Sequence, residues 1–153
     1  MAEKIANQYN PEGFSPFPFE KIQGDKKDLS IFINDQMGDD ISGAIMFDAE
    51  NDNFSILINK NKPKTRQHFT IAHEVGHYFL HQNEIKNNPF IDGDNNLDSG
   101  NILYRADNYP SNQLETEANN FAASLIMPEK LVRRAWNDIQ DVEKCASIFN
   151  VSV

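Results

Sequence analysis

The segment His73-Glu74-Val75-Gly76-His77 holds the residue types that metal-assisted hydrolysis needs, at the spacing it needs them. On a helix, side chains four apart lie one above the other, so His73 and His77 can each give a ring nitrogen to the same divalent ion. Glu74 lies about 100° round the helix from His73, where it can take a proton from a metal-bound water. The chemistry this predicts is hydrolysis of a peptide bond, with zinc as the metal that two imidazoles favour. A random ordering of a chain with four His and ten Glu would show this pattern about 0.7% of the time, so the spacing is read as a site rather than as an ordinary amphipathic helix.

A catalytic zinc usually has three protein ligands and a water, so one ligand is missing. Leu80 and Asn83 stand where a metzincin carries a glycine and its third histidine, which excludes that class. His81 continues the row of His73 and His77, and a third imidazole in one row cannot easily close a tetrahedron. It is expected to complement the negative end of the helix instead. Glu115 and Glu117 remain, flanking the apolar stripe of a later helix on opposite sides, and periodicity leaves both open. Glu115 could also serve a capping box, Asn112-Gln113-Leu114-Glu115.

The elements that must position these residues follow from pattern. Residues 65–82 have no internal proline and space Phe69, Ala72, Gly76 and Phe79 at helical intervals, which places the motif inside a helix. Gly76 costs about 1 kcal/mol relative to Ala there, so its expected use is close approach of another backbone. Ile- and Phe-rich runs across residues 29–59 (LSIFIN, SGAIMFDAE, FSILIN) predict three antiparallel strands, the last two a hairpin. Residues 1–28, punctuated by prolines and glycines with Phe14, Phe17 and Phe19 between, read as an extended arm. Residues 83–109 read as a polar loop, either a lid, a substrate loop or a merely mobile connection; Leu97 and Leu103 stand where an EF-hand needs glycine and glutamate. Residues 111–150 predict three helices: one to Met127 with Leu114, Ala118, Phe121, Ala122, Leu125 and Ile126 as its stripe, one from Pro128, and one from Asp141 ending at Asn150.

The chain's 153 residues fit one domain, and no apolar run approaches the roughly 20 residues that span a bilayer. No membrane association is expected. The net charge of −9 argues against direct nucleic-acid binding and suits a basic protein partner. The lone Cys145 and the polar N-terminus point to the cytoplasm, and the spacing of Val142, Cys145 and Phe149 marks that cysteine as a packed small hydrophobe.

FTIAHEVGHYFLH (69–81) followed by ETEANNFAASLIMP (115–128) resembles the ImmA/IrrE family of metallopeptidases, whose members join an HExxH helix to a helix marked E-x-x-A-N-x-F-A. With the strand pair at 42–59, the resemblance covers roughly residues 40–150. It implies that Glu115 is the third zinc ligand, Glu117 a tolerated neighbour, and Asn119 the residue that holds a zinc-bound imidazole from behind. It also implies a protein substrate, a helix-turn-helix transcriptional repressor of a mobile element or stress response. The resulting expectation is an α+β, zincin-like domain with a small antiparallel sheet packed against the active-site helix and further helices C-terminal to it. His73, His77 and Glu115 would hold one zinc, and Glu74 would act as base. The oxyanion donor stays open among Tyr104, Arg105, Tyr109 and His68. The alternative is a non-catalytic or metal-sensing module that controls a repressor by binding it.

Overall fold

A central strand, β3 (Asn53–Asn59), organises the protein. The computed structural model describes residues 1–13, 15–87 and 111–153, the side chains of 111 and 112 excepted. Phe54, Ile56 and Ile58 alternate along β3 and are fully buried, the period-2 pattern of a strand with one face in the core. β2 (Gly43–Asp48) pairs with it antiparallel, opposing Ile45 to Ile56. The tight turn between them is fastened by Asp48, whose carboxylate accepts from the Glu50 and Asn51 amides, and Asp52 adopts φ 47°.

β1 (Leu29–Asn34) corrects the antiparallel expectation: it lies on the far side of β3 and runs parallel to it, giving a mixed sheet of order β1-β3-β2. The cause is visible at the end of β3. Asn59 is buried, its amide nitrogen donating to the Gly38 and Ile41 carbonyls at 3.0 and 2.7 Å and its backbone N–H to Ser42 at 2.9 Å. These bonds hold the 35–42 connection across the end of β3, so β2 is delivered to the opposite edge. Parallel neighbours need such a long crossover, here one that contains β2.

α3 (Lys64–Leu80) packs across the sheet, with Ala72, Val75 and Tyr78 buried and the Tyr78 ring edge-on to Phe54 at 5.3 Å. A Cβ at Gly43 would sit 2.4 Å from Thr70 Cγ2, so glycine permits this approach of α3 to β2. α5 (Ser111–Ile126) lies against α3, burying Ala118, Phe121, Ala122 and Leu125, the stripe its spacing predicts. A Cβ at Gly76 would lie 3.2 and 3.3 Å from the Ala118 backbone and 3.1 Å from Phe121. Gly76 therefore sets the separation of α3 and α5.

The N-terminal segment also departs from expectation. It forms two helices, α1 (Ala2–Tyr9) and α2 (Phe19–Asp25), joined by an irregular stretch. The prolines fall between the helices or at the cap position Pro18, where they do not break one. α1 buries Ala2, Ile5, Ala6 and Tyr9, a helical i, i+3, i+4, i+7 set, against the core that includes α5's Phe121 and Leu125. Gln82–Asn87 forms a short α4 at the start of the predicted polar loop. Most of the loop read as a lid, with Leu97 and Leu103, lies outside the described residues. α6 (Glu129–Ile139) and α7 (Val142–Phe149) follow, α7 capped by Asp141, which accepts from the Lys144 amide at 3.0 Å, and closed by Asn150 in the left-handed conformation. Ala146 and Phe149 are buried, Cys145 is half-buried, and Val142 stays exposed. Among the described residues no helix is long and apolar enough to cross a membrane.

Candidate metal centre

The close packing of α3 on α5 brings His73 and His77 onto Glu115, one ligand atom from each lying within 4.8 Å of the others. His73 Nε2 is 3.0 Å from His77 Nε2 and 3.2 Å from Glu115 Oε2, and His77 Nε2 is 3.0 Å from Glu115 Oε1. Metal–ligand bonds of about 2.0–2.1 Å in a tetrahedron put neighbouring donors about 3.3 Å apart, so this triangle needs to open by only a few tenths of an ångström to take zinc. Asn119, one turn after Glu115, places its Oδ1 3.0 Å from His73 Nδ1 and accepts that nitrogen's proton. Behind His77, Nδ1 meets His81 Nδ1 at 2.9 Å. With a proton on each Nδ1, both Nε2 atoms present lone pairs to one another and to a carboxylate, an arrangement that a cation between them stabilises.

Electrostatics at the site follow the same geometry. Burial pushes the His77 imidazole down despite the Glu115 hydrogen bond, which keeps it neutral as a ligand must be. Burial acts on His73 in the same sense, but hydrogen bonding to Glu115 and the charges of Glu74 and Glu115 outweigh it and raise that group. Glu74 is buried beside them, and its desolvation pushes the carboxyl up to about 7, with His73 opposing and Glu115 adding to the rise. A group near 7 can both accept and return a proton at neutral pH.

Glu117 is absent from the triangle. It lies on His81, Oε2 to Nε2 at 3.1 Å, while Gln113 donates to its other oxygen at 2.8 Å. The His81 imidazole is thus turned back onto His77 and Glu117, and only its backbone N–H, bonded to the His77 carbonyl, serves the helix end. The sequence signal was the i+4 spacing from His77; which carboxylate α5 would bring to it was invisible. His68 does not reach the site as an oxyanion donor. It is buried against Phe19 with Nε2 accepting from the Phe17 amide at 3.1 Å. Tyr104, Arg105 and Tyr109 lie outside the described residues.

Fold and site together are those of an α+β domain able to hold one metal ion between two packed helices. Residues 25–153 match the model of peptidase family M78, described as the IrrE N-terminal-like domain. The chain is 34% identical over 112 residues to "Metallopeptidase ImmA" of Bacillus subtilis (strain 168), an alignment covering 72% of this chain and 57% of that one. It is 32% identical over 98 residues to "Uncharacterized immunity region protein 2" of Bacillus phage phi105, covering 64% and 52%. The chain belongs to the ImmA/IrrE metallopeptidase family. It spans just over half the length of these curated relatives.

Proposed function

We propose that this chain is a zinc-dependent endopeptidase acting in the cytoplasm on a helix-turn-helix transcriptional repressor. The observation that carries the reading is the His73–His77–Glu115 triangle, whose converging ring nitrogens and carboxylate oxygens suit a divalent cation. Two imidazoles and one carboxylate favour zinc over harder ions. Bound there, zinc supplies Lewis acidity, which lowers the pKa of water and polarises a peptide carbonyl.

The remaining work falls to the chain's own residues. His73, His77 and Glu115 would be the ligands, with Asn119 holding the His73 ring so that its Nε2 faces inward. Glu74 accepts the proton of the attacking water and passes it to the leaving amine. An extended substrate segment adds as a strand to an edge of the sheet, where main-chain hydrogen bonds supply affinity and side-chain pockets choose the bond.

Support for the substrate comes from the names of the relatives, a metallopeptidase and a phage immunity-region protein, and from the net charge of −9, which complements a basic DNA-binding partner. The test is intact-mass analysis of a repressor encoded beside this chain after incubation with the zinc-loaded protein. Two fragments whose masses sum to the repressor plus one water are expected. A repressor that binds and stays intact would overturn the catalytic reading in favour of a partner-binding module.

A further inference from the structure

The two ligand imidazoles are held in different ways. His73 meets a neutral amide oxygen directly, whereas His77 meets a second imidazole that leads to a carboxylate. From this geometry we infer that His81 and Glu117 form a positioning relay that fixes His77 in its Nδ1–H tautomer and aims its Nε2 at the metal. The inference rests on the reading of His77 as a ligand.

Counting protons gives the direction of the chain. His77 and His81 face each other Nδ1 to Nδ1 at 2.9 Å, so one of the two nitrogens carries a proton and the other accepts it. If His77 donates, His81 keeps its own proton on Nε2 and donates it to Glu117 Oε2 at 3.1 Å, and every contact is satisfied. If His81 donates, its Nε2 lone pair faces the Glu117 carboxylate, and the His77 proton moves to the nitrogen that must bind the metal. Between these two neutral arrangements the carboxylate selects the first. Gln113, donating to Glu117 Oε1 at 2.8 Å, orients the carboxylate. His77 and His81 are 1% and 2% exposed, so water does not readily replace the bond between them, while Glu117 stands at the solvent-exposed end of the relay. α5 then supplies a ligand, Glu115, and the orienting groups for both imidazoles, Glu117 and Asn119. Groups from both sides of the buried stripe of α5, Glu115 and Asn119 on one and Glu117 on the other, thus complete the centre as α5 docks against α3.

The test reads tautomer and affinity separately. In the full-length protein without metal, long-range proton–nitrogen NMR on ¹⁵N-labelled histidine should show His77 protonated at Nδ1. Glu117→Ala should lose that preference and weaken zinc affinity in chelator competition by about 10- to 100-fold. Glu117→Gln keeps an oxygen that accepts from His81 and should restore most of the affinity, which a merely structural residue would not require. An Nε2–H tautomer in the wild type, or unchanged tautomer and affinity in Glu117→Ala, overturns the relay. Loss of zinc in Glu117→Ala together with retention in Glu115→Ala would instead make Glu117 the ligand. A wild type that shows the Nδ1–H tautomer yet binds no zinc would sink the metal reading, and with it the aiming role, while the tautomer assignment of His77 would stand.

Discussion

Glu74 and Glu115 are both carboxylates beside His73, and their surroundings separate their roles. Glu115 points both oxygens at imidazole nitrogens, while Glu74 is buried next to the triangle and outside it. Glu74→Gln keeps the size and removes the base, so cleavage of the repressor should fall by about 10²- to 10⁴-fold while zinc content holds at one per chain. Metal analysis and cleavage on the same preparations, wild type beside variant, check this; equal cleavage by both would remove Glu74 from the mechanism. At this scale the sequence was most informative where spacing along one helix sufficed. The i, i+4 pair and its adjacent carboxylate could be read from residues 73–77 because a helix fixes their relation. The choice between Glu115 and Glu117 could not, because it depends on how α5 is rotated against α3. The same rotation decides that His81 reaches Glu117.

That rotation and separation are properties of the helix pair, and Gly76 is where they are most constrained. A methyl there gains about 1 kcal/mol of helix propensity, yet it presses on the Ala118 backbone at 3.2–3.3 Å, which cannot turn aside as a side chain can. Overpacking of this kind costs about 1–3 kcal/mol, so Gly76→Ala should lower the melting temperature. Relief by spreading the helices would carry Glu115 and Asn119 away from the histidines, so zinc affinity should fall as well. A variant that melts higher and binds zinc as tightly would show that the spacing is not set there. Gly76 was legible as a close-approach residue because glycine within a periodic helix needs a reason. The direction of β1 was not, since period-2 alternation looks the same whichever way a neighbour runs, and the crossover is fastened by several residues at the end of β3, Asn59 and Asn61 among them. In α1 the apolar spacing is present in the sequence, but the prolines that follow suggest an arm; they mark the ends of helices rather than the absence of them.

Two links tie the whole molecule together, and each has a thermodynamic signature. A metal bound between α3 and α5 stabilises only the folded chain, by about 2.7 kcal/mol when free zinc is a hundredfold above its dissociation constant, so chelation should lower the melting temperature. An unchanged melting temperature after verified removal would count against a site that joins the helices. The second link is His68, which lies on α3 and meets the stretch between α1 and α2 through the Phe17 amide, with the Asn150 backbone at the end of α7 also acting on it. Burial pushes this imidazole down from its ordinary value of 6.5, the Asn150 backbone opposing. Its Nε2 must stay unprotonated to accept from Phe17. Above pH 6.5 the folded and unfolded chains both carry neutral His68, and its contribution is fully present. As pH falls below that value the unfolded chain takes up the proton first, so stability declines until the pH passes the folded pKa, with a slope of at most about 1.4 kcal/mol per pH unit. His68→Gln offers Phe17 an acceptor that does not titrate. Urea midpoints of the metal-free proteins between pH 8 and pH 5 should therefore drop more for the wild type than for the variant, the histidines and carboxylates of the metal centre being common to both. Parallel pH profiles would mean that the joint between the N-terminal segment and α3 does not depend on a neutral His68.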